Sequence, residues 1–577
     1  MGEQRVSEKG FDKKLDKKFD QTFDYVIVGA GSAGSVLADR LSADGQHRVL
    51  ALEYGGNDNS VFIKMPSAFS IPMGMSKFDW GFHTQSEAGL QGRKLHQARG
   101  KVIGGSSSVN GMAYVRGNAG DFAEWESLGA QGWGYRDVLP YYRRAEDCVY
   151  GSDNYRGVDG GLTTCNGNGM KNPLYRAFID AGKQAGYGET DDYNGYRQEG
   201  FCRMDMTVRN GVRCSTAMAY LKPALKRNNL TLETHALTTR ILMDGKKAIG
   251  VEYRQRGKTI RVRAEKEVIL SASAFNSPKL LMLSGVGPAA ELKRHRIDVV
   301  HDLPGVGKNL QDHLEVWVQQ ACKQKITLNG WLGPLGKALI GARWLLSRTG
   351  LGATNHFESN GYIRSRAGLQ SPDIQYHFLP GAIAYDGSSA AEGHGYQVHL
   401  GHNKPRSRGE VTLKSADPEA APEIIFNYLS EEEDRFAWRR ALRLTREIFA
   451  QSAFDPFRGE ELSPGKDVQT DDEIDQWVAS TAETAYHPAG SCRMGEDAMA
   501  VVDSECRVHG IAGLRVVDSS IMPTVTNGNL NAPTIMIGEK AADHILGREI
   551  LPPSEAPIFS VEDWPERQRL GMPERQL

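Results

Sequence analysis

The hydrophobic pattern becomes regular at Phe23. In FDYVIVGAGSAGSVLADRLSADGQHRVLALEYGG an unbroken apolar run covers residues 25–28 and glycines follow it. Ala33, Val36, Leu37 and Leu41 then recur at helical spacing, and a second apolar run covers 49–52. Short unbroken runs predict buried strands and a 3.6-residue stripe predicts a helix, so the stretch reads strand, turn, helix, strand. Further on, TLETHA, TRILMDG, KAIGVEYRQ, KTIRVRAEK and EVILSAS alternate apolar and polar positions, with a turn at Asp244 and Gly245. They predict a small β-meander. Helices are predicted over 215–225, over SPKLLMLSGVG with Ser277 as its cap, and over 435–451, where Trp438, Leu442, Leu444 and Ile448 form a stripe. PDIQYHFLP, YQVHLGHN and GEVTLKSADP read as strands. NAPTIMIGEKAADHI predicts a helix capped by Asn531, with Pro533 in its first turn and Ile535, Ile537, Ala541, Ala542 and Ile545 on one face.

A chain of 577 residues exceeds one compact core, so two or more domains are expected. The pattern divides it into a mobile charged lead (1–22), a dinucleotide-binding part (23–150), and an irregular Gly-, Asn- and Tyr-rich excursion toward a second domain (151–213). A return to the first domain (214–311) is followed by a sheet-and-helix substrate domain (312–465). A segment that closes the first domain (466–552) and a surface tail (553–577) complete the chain. The lead has no apolar centre and is not a secretory signal. Net charge is −2 and the pI about 6.8, which gives no basic face and excludes nucleic acid as the expected partner. No apolar run reaches the eighteen or so residues that a membrane span needs. Seven scattered cysteines without a CxxC pair argue against a disulfide framework or a structural metal site and fit a reducing, cytoplasmic compartment.

The glycines after the first strand form GxGxxG: Gly29, Gly31 and Gly34. Gly29 allows a tight turn, Gly31 admits a pyrophosphate to the backbone, and Gly34 lets helix and strand pack closely. Glu53 ends the second strand, where a carboxylate accepts both ribose hydroxyls and disfavours a 2′-phosphate, so FAD or NAD is expected rather than NADP. A second glycine-rich stretch, RGKVIGGSSSVNGMAYVRGN (99–118), offers open backbone amides for another part of a cofactor. Near the C-terminus His487 precedes a proline and Asn531 precedes a helix. A base on a loop and an amide at a positive helix end suit removal of a hydroxyl proton.

Together these stretches resemble the glucose–methanol–choline (GMC) family of flavin oxidoreductases. The resemblance rests on VGAGSAG with Glu53, GKVIGGSSSVNGMAYVRG, SAFNSPKLLMLSGVG at 273–287, and the HPAG…NLNAP pair, and it runs from Phe23 to about Pro552. It implies an α/β fold in which a Rossmann-type FAD-binding domain is interleaved with an α+β substrate-binding domain built on an antiparallel sheet. It implies bound FAD, proton abstraction from an alcohol by His487 with Asn531 on the substrate oxygen, and hydride transfer to flavin N5. Cofactor contacts are expected from Gly29, Gly31, Ser32, Ala33, Gly34 and Glu53. The second stretch adds Arg99, Val102, Gly104, Gly105, Ser106, Asn110, Gly111, Met112 and Ala113. Thr238, Ser273, Asp518, Asn531, Ala532 and Pro533 complete the expected set.

Within the family, TDDYNGYRQEGF, NHFESNGYIRS, DIQYHFLP and NLNAPTIMIGEKAAD are most similar to bacterial choline-oxidising dehydrogenases. That similarity implies oxidation of choline to betaine aldehyde, with onward oxidation open. It also implies a membrane quinone pool as electron acceptor and peripheral association with the inner membrane face. Choline carries a fixed positive charge without a donor, which aromatic faces and a carboxylate must hold. Glu358 is the expected counter-ion, with Phe357, Tyr486 and His377 around it. Some choline-oxidising relatives attach FAD through a histidine after the GGxSS motif. Val109 stands there in this chain, so non-covalent FAD is expected. Other primary alcohols, and the lyase and photodecarboxylase chemistries of the same fold, are the alternatives.

Overall fold

The computed structural model describes residues 19–384, 388–390, 392–569 and 572. Its first sheet is built around the strand Gln21–Val28. That strand lies parallel to Val49–Glu53 on one side and to residues 262–270 of Lys258–Leu270 on the other. Leu230–Thr234 extends the parallel part beyond Val49–Glu53, and Leu514–Val516 adds to it beside Lys258–Leu270. The helix Ser32–Ser42 buries Ala33, Val36, Leu37 and Leu41 against this sheet, as their spacing predicts.

The expected five-strand meander is smaller than the alternation suggested. TLET joins the parallel sheet, and KTIRVRAEKEVIL is one long strand. Its first half pairs antiparallel with Lys247–Gln255, and its second half enters the core beside Gln21–Val28. Local alternation cannot distinguish one bent strand from two, because tertiary pairing decides it. The helix expected from Ser277 begins four residues earlier, at Ser273. Ser277 does not cap it but donates to Asp518 Oδ2 at 2.6 Å.

The second sheet is antiparallel throughout, in the order Arg458–Ser463, Leu314–Cys322, Gly395–His402, Ile374–Leu379, Ser359–Ile363, Gly200–Arg203. The helices Pro173–Gln184 and Glu432–Phe449 cover one of its faces, through Phe178, Trp438, Leu442 and Ile448. The fold is thus a Rossmann-type domain interleaved with a domain on an antiparallel sheet, each with its own core.

The helix Asn531–Leu546 crosses Ser32–Ser42 so closely that a Cβ on Gly538 would lie 3.2 Å from the Ala33 Cα. It is buried on nearly all sides rather than along one stripe. Its Glu539 is paired with Arg40 and Arg144, which is how a carboxylate survives there. Asn531 is the first residue of the helix and not its cap; Leu530 holds the cap position and makes no side-chain cap bond.

The N-terminal end departs from expectation where it is described, while the tail over 553–569 is mostly exposed or half-buried and is buried only at Ala556, Gln568 and Arg569 among the described residues. Gln21 and Thr22 already belong to the first strand, while residues 1–18 of the expected lead lie outside the described residues. The tail returns to the second domain, where Gln568 donates to the Arg364 carbonyl at 2.7 Å and Arg569 to that of Ala185 at 2.6 Å.

A Cβ on Gly34 would stand 1.9 Å from the Gly29 carbonyl oxygen. Gly34→Ala is therefore expected to lower the unfolding free energy by about 1–3 kcal/mol, read as an earlier urea midpoint at unchanged slope. An unchanged midpoint would mean that helix and turn are not in this contact.

Candidate active site

The two domains enclose a cavity of 790 Å³. One end is formed by the glycine turn. Gly29 has φ +100°, and a Cβ there would meet the Ser271 carbonyl at 2.3 Å. Gly105, from the second glycine stretch, approaches so closely that its Cβ would lie 2.7 Å from the Gly31 Cα. The two glycine-rich stretches thus meet backbone to backbone. Arg213, which the sequence reading did not single out, fixes the second stretch by donating to the Asn110 carbonyl and side chain at 2.6 and 2.9 Å. Glu53 accepts from the Ala30 and Gly55 amides at 3.2 and 2.7 Å, and burial pushes its carboxyl up to about 7 against these bonds.

At the other end stands His487, on a loop whose preceding residue, Tyr486, has φ +62°. The His487 amide donates to Asp312 Oδ1 at 2.7 Å. Asp312 Oδ2 accepts from Thr484 and Tyr428, each at 2.5 Å. The imidazole has two partners. Its Nδ1 lies 3.1 Å from His313 Nδ1, and its Nε2 lies 3.0 Å from Asn529 Nδ2.

These contacts fix the proton positions. His313 Nε2 lies 3.1 Å from the Asn403 carbonyl, which only accepts, so that nitrogen carries hydrogen. Burial pushes His313 down to about 3, so the ring is neutral and its Nδ1 is an acceptor. His487 Nδ1 must then donate, which leaves the His487 Nε2 lone pair turned toward Asn529. Burial, and then the proximity of His313, His377 and Arg99, which disfavours a second positive charge, hold His487 well below the usual histidine range. His487 is a neutral base whose Nε2 lone pair accepts from the Asn529 amide.

The substrate-domain sheet supplies the adjoining wall. On Leu314–Cys322, Glu315 and Trp317 sit two residues apart and share a face. Trp317 pairs in register with His399, and His399 with His377, so these three form a row across the sheet. Phe357 packs edge-on to His399 with centroids 4.9 Å apart. Glu315 Oε1 accepts from Trp317 Nε1 and lies 3.1 Å from His399 Nδ1. Burial raises the Glu315 carboxyl, but His399 and the Trp317 hydrogen bond outweigh it and hold the group below the ordinary range.

Several expectations are corrected here. Asn531 does not face His487; its Oδ1 accepts from Ser32 Oγ at 2.8 Å, at the glycine turn. The amide at the base belongs to Asn529, two residues earlier. Glu358 does not line the cavity. Its buried carboxylate accepts from the Asn168 and Met170 amides at 3.2 and 2.6 Å and from Thr354 at 2.7 Å, so it pins the partly exposed loop at 167–170. Phe357, His377 and Tyr486 do line the cavity.

Of the expected cofactor residues, Gly29, Gly31, Ser32, Ala33, Glu53 and Arg99 are in the wall. So are Gly105, Ser106, residues 110–113, Thr238, Ser273, Asp518 and Asn531. Gly34, Val102, Gly104, Ala532 and Pro533 form a layer behind it, because each is packed against a neighbouring backbone or core.

The description "GMC oxidoreductase" is matched twice, by an N-terminal family domain over residues 23–315 and a C-terminal one over 405–538. An oxygen-dependent choline dehydrogenase of Photobacterium profundum is 58% identical over 556 residues, covering 96% of this chain and 98% of the relative. One of Vibrio vulnificus is 59% identical over 554 residues, covering 96% and 99%. The chain belongs to the GMC oxidoreductase family. Among solved structures, pyridoxine 4-oxidase from Mesorbium loti superposes with a TM-score of 0.82 at 33% identity, covering 91% of this chain and 99% of that one. A formate oxidase of Aspergillus oryzae, studied for its FAD modification, superposes at 0.86 with 27% identity, covering 92% and 99%.

FAD is the cofactor of this GMC enzyme, and the cavity suits it. Glu53 stands where an adenosine ribose would reach the second strand, and the glycine turn opens the Ser32–Ser42 amides to a pyrophosphate. The Thr238 and Ser273 hydroxyls are buried in the cavity wall without a protein partner, which a polar cofactor would satisfy. Val109, also in the wall, offers no nucleophile for a covalent bond. Acid denaturation is expected to release all the yellow colour into the supernatant; colour retained on the precipitated polypeptide would show a covalent link.

Proposed function

We propose that this enzyme oxidises choline to betaine aldehyde. The observation that carries the proposal is one cavity holding a neutral base with its amide partner and, on the adjoining wall, a carboxylate framed by aromatic rings. Bound FAD supplies the hydride acceptor. A substrate hydroxyl between His487 and Asn529 donates its proton to the His487 Nε2 lone pair and accepts from Asn529 Nδ2. His313 takes the hydrogen bond from His487 Nδ1, so the imidazolium formed is held in one orientation. Glu315 serves as counter-ion to the trimethylammonium group, and Trp317 and Phe357 give it aromatic faces. The names of the close relatives agree with this substrate.

The relatives are named as oxygen-dependent, while the family resemblance points to a membrane quinone pool. Oxygen uptake compared with anaerobic reduction of a soluble quinone separates these two acceptors.

Glu315→Gln removes the charge and keeps the shape. It is expected to raise KM for choline about tenfold or more, with a smaller effect on kcat, because roughly 1.4 kcal/mol of cation binding corresponds to tenfold. Glu358→Gln should leave that KM nearly unchanged, in keeping with its place behind the wall. Steady-state kinetics of the two variants decides between the carboxylates, and the reverse pattern would return the counter-ion role to Glu358.

Asn529→Ala is expected to lower kcat by about 10²-fold or more, a typical loss for a group that stabilises a developing oxyanion. An Asn529→Ala enzyme of normal kcat would remove this residue from the reaction.

A further inference from the structure

Gln397 lies in the cavity wall, and the proposed reaction leaves it without a role. It stands two residues before His399 on the strand Gly395–His402, so the two side chains share one face. The Gln397 side chain is buried and has contacts at both ends of its amide. Its Oε1 accepts from the Ile383 backbone amide at 2.8 Å and from Gln319 Nε2 at 2.9 Å. Its Nε2 lies 2.9 Å from His399 Nε2.

These contacts leave one arrangement of hydrogens. A backbone N–H only donates, so the Ile383 contact fixes which end of the Gln397 amide is oxygen. The nitrogen end must then face His399. An amide nitrogen donates and does not accept, so His399 Nε2 presents a lone pair and carries no hydrogen. The hydrogen of the ring is on Nδ1, 3.1 Å from Glu315 Oε1, which accepts it. A proton added at His399 Nε2 would set one N–H against another. Gln397 could not turn to relieve this without breaking its bonds from Ile383 and Gln319.

The consequence lies at Glu315. A carboxylate beside an imidazolium forms an internal ion pair without net charge, and a trimethylammonium group is attracted to it only weakly. A carboxylate that accepts from a neutral imidazole keeps its full charge. Trp317 Nε1 donates to the same oxygen and is also neutral. The titratable side chains facing His399 are Glu315 on one neighbouring strand and His377 on the other. Burial pushes His377 down to about 4, so it adds no positive charge near neutral pH. Phe357, edge-on to His399, is apolar.

We propose that Gln397 is a positioning residue: it holds His399 as the neutral Nδ1–H tautomer and so leaves the Glu315 charge available to a cationic alcohol. Gln397 acts on the substrate through His399 and Glu315. The consequence for substrate rests on the choline reading; the tautomer does not.

The test uses the full-length, FAD-loaded enzyme with nitrogen-15 in its histidine rings, and His399→Asn identifies the His399 signals by their loss. In the wild type these signals are expected to show one protonated and one bare nitrogen, unchanged from pH 8 to pH 6. Gln397→Glu keeps an oxygen for Ile383 and turns a second oxygen to His399, so both ring nitrogens should carry hydrogen at neutral pH. Steady-state kinetics supply a second readout. Glu315 is held below the ordinary carboxylate range and stays ionised from pH 8 to pH 6. In Gln397→Leu the KM for choline should therefore rise about tenfold as pH falls across that interval and His399 takes a second proton. The wild-type KM should stay nearly flat, and adding His399→Asn to Gln397→Leu should abolish the rise. A wild-type His399 with both nitrogens protonated at pH 6 would overturn the inference. So would singly protonated His399 in Gln397→Glu, or a Gln397→Leu effect on KM that is the same at every pH, as a merely structural role would give. If Gln397→Leu does not fold, the nitrogen signals of the wild type and Gln397→Glu decide alone. Because those signals are read without turnover, failure of choline as substrate leaves the tautomer standing, and a wrong tautomer leaves choline oxidation standing.

Discussion

The hydrogen bond between His313 and His487 is the contact on which the chemistry of this cavity depends. It fixes which nitrogen of His487 carries hydrogen, and so where the basic lone pair points. It works because His313 is itself held by the Asn403 carbonyl and kept neutral by burial. The preceding residue, Asp312, holds the His487 backbone. The strand that follows, Leu314–Cys322, carries Glu315 and Trp317. One short segment therefore positions the base and begins the wall that would hold the cation. Removing a partner from such a buried network leaves a polar group unsatisfied, at about 1–3 kcal/mol, so the arrangement is rigid.

The cofactor end depends on a different constraint, the absence of side chains. Gly31 and Gly105 touch through their backbones, and Gly34 packs on Gly29. These contacts join two segments more than seventy residues apart in sequence into one cradle. The helix Asn531–Leu546 crosses the first helix at Gly538, and its first residue reaches Ser32. The C-terminal segment thereby ties the cradle to the loop that carries His487.

What was legible in the sequence follows from these physical differences. The Rossmann turn was legible because a close backbone approach allows only glycine and leaves a fixed spacing. His487 was legible through its motif. Asn529 was not: NLN holds two asparagines, and only the helix start shows that the second faces Ser32 and the first faces the base. Glu315 and Trp317 were hidden for another reason. They occupy polar-looking positions of a strand whose other face is core, and alternation alone does not say whether that polar face meets water or a cavity. Glu358 read as a free carboxylate next to an aromatic residue; two of its three hydrogen bonds, from the Asn168 and Met170 amides, link positions far apart in the chain, and only the third, from Thr354, is local.

In the proposed reaction, base, amide and carboxylate act on one cationic alcohol. Anaerobic stopped-flow reduction of the enzyme-bound flavin tests it most directly, with choline compared against 3,3-dimethylbutan-1-ol, its uncharged isostere. Fast bleaching by choline and much slower bleaching by the isostere at equal concentration are expected. Equal rates for the two, or bleaching by neutral alcohols alone, would contradict it.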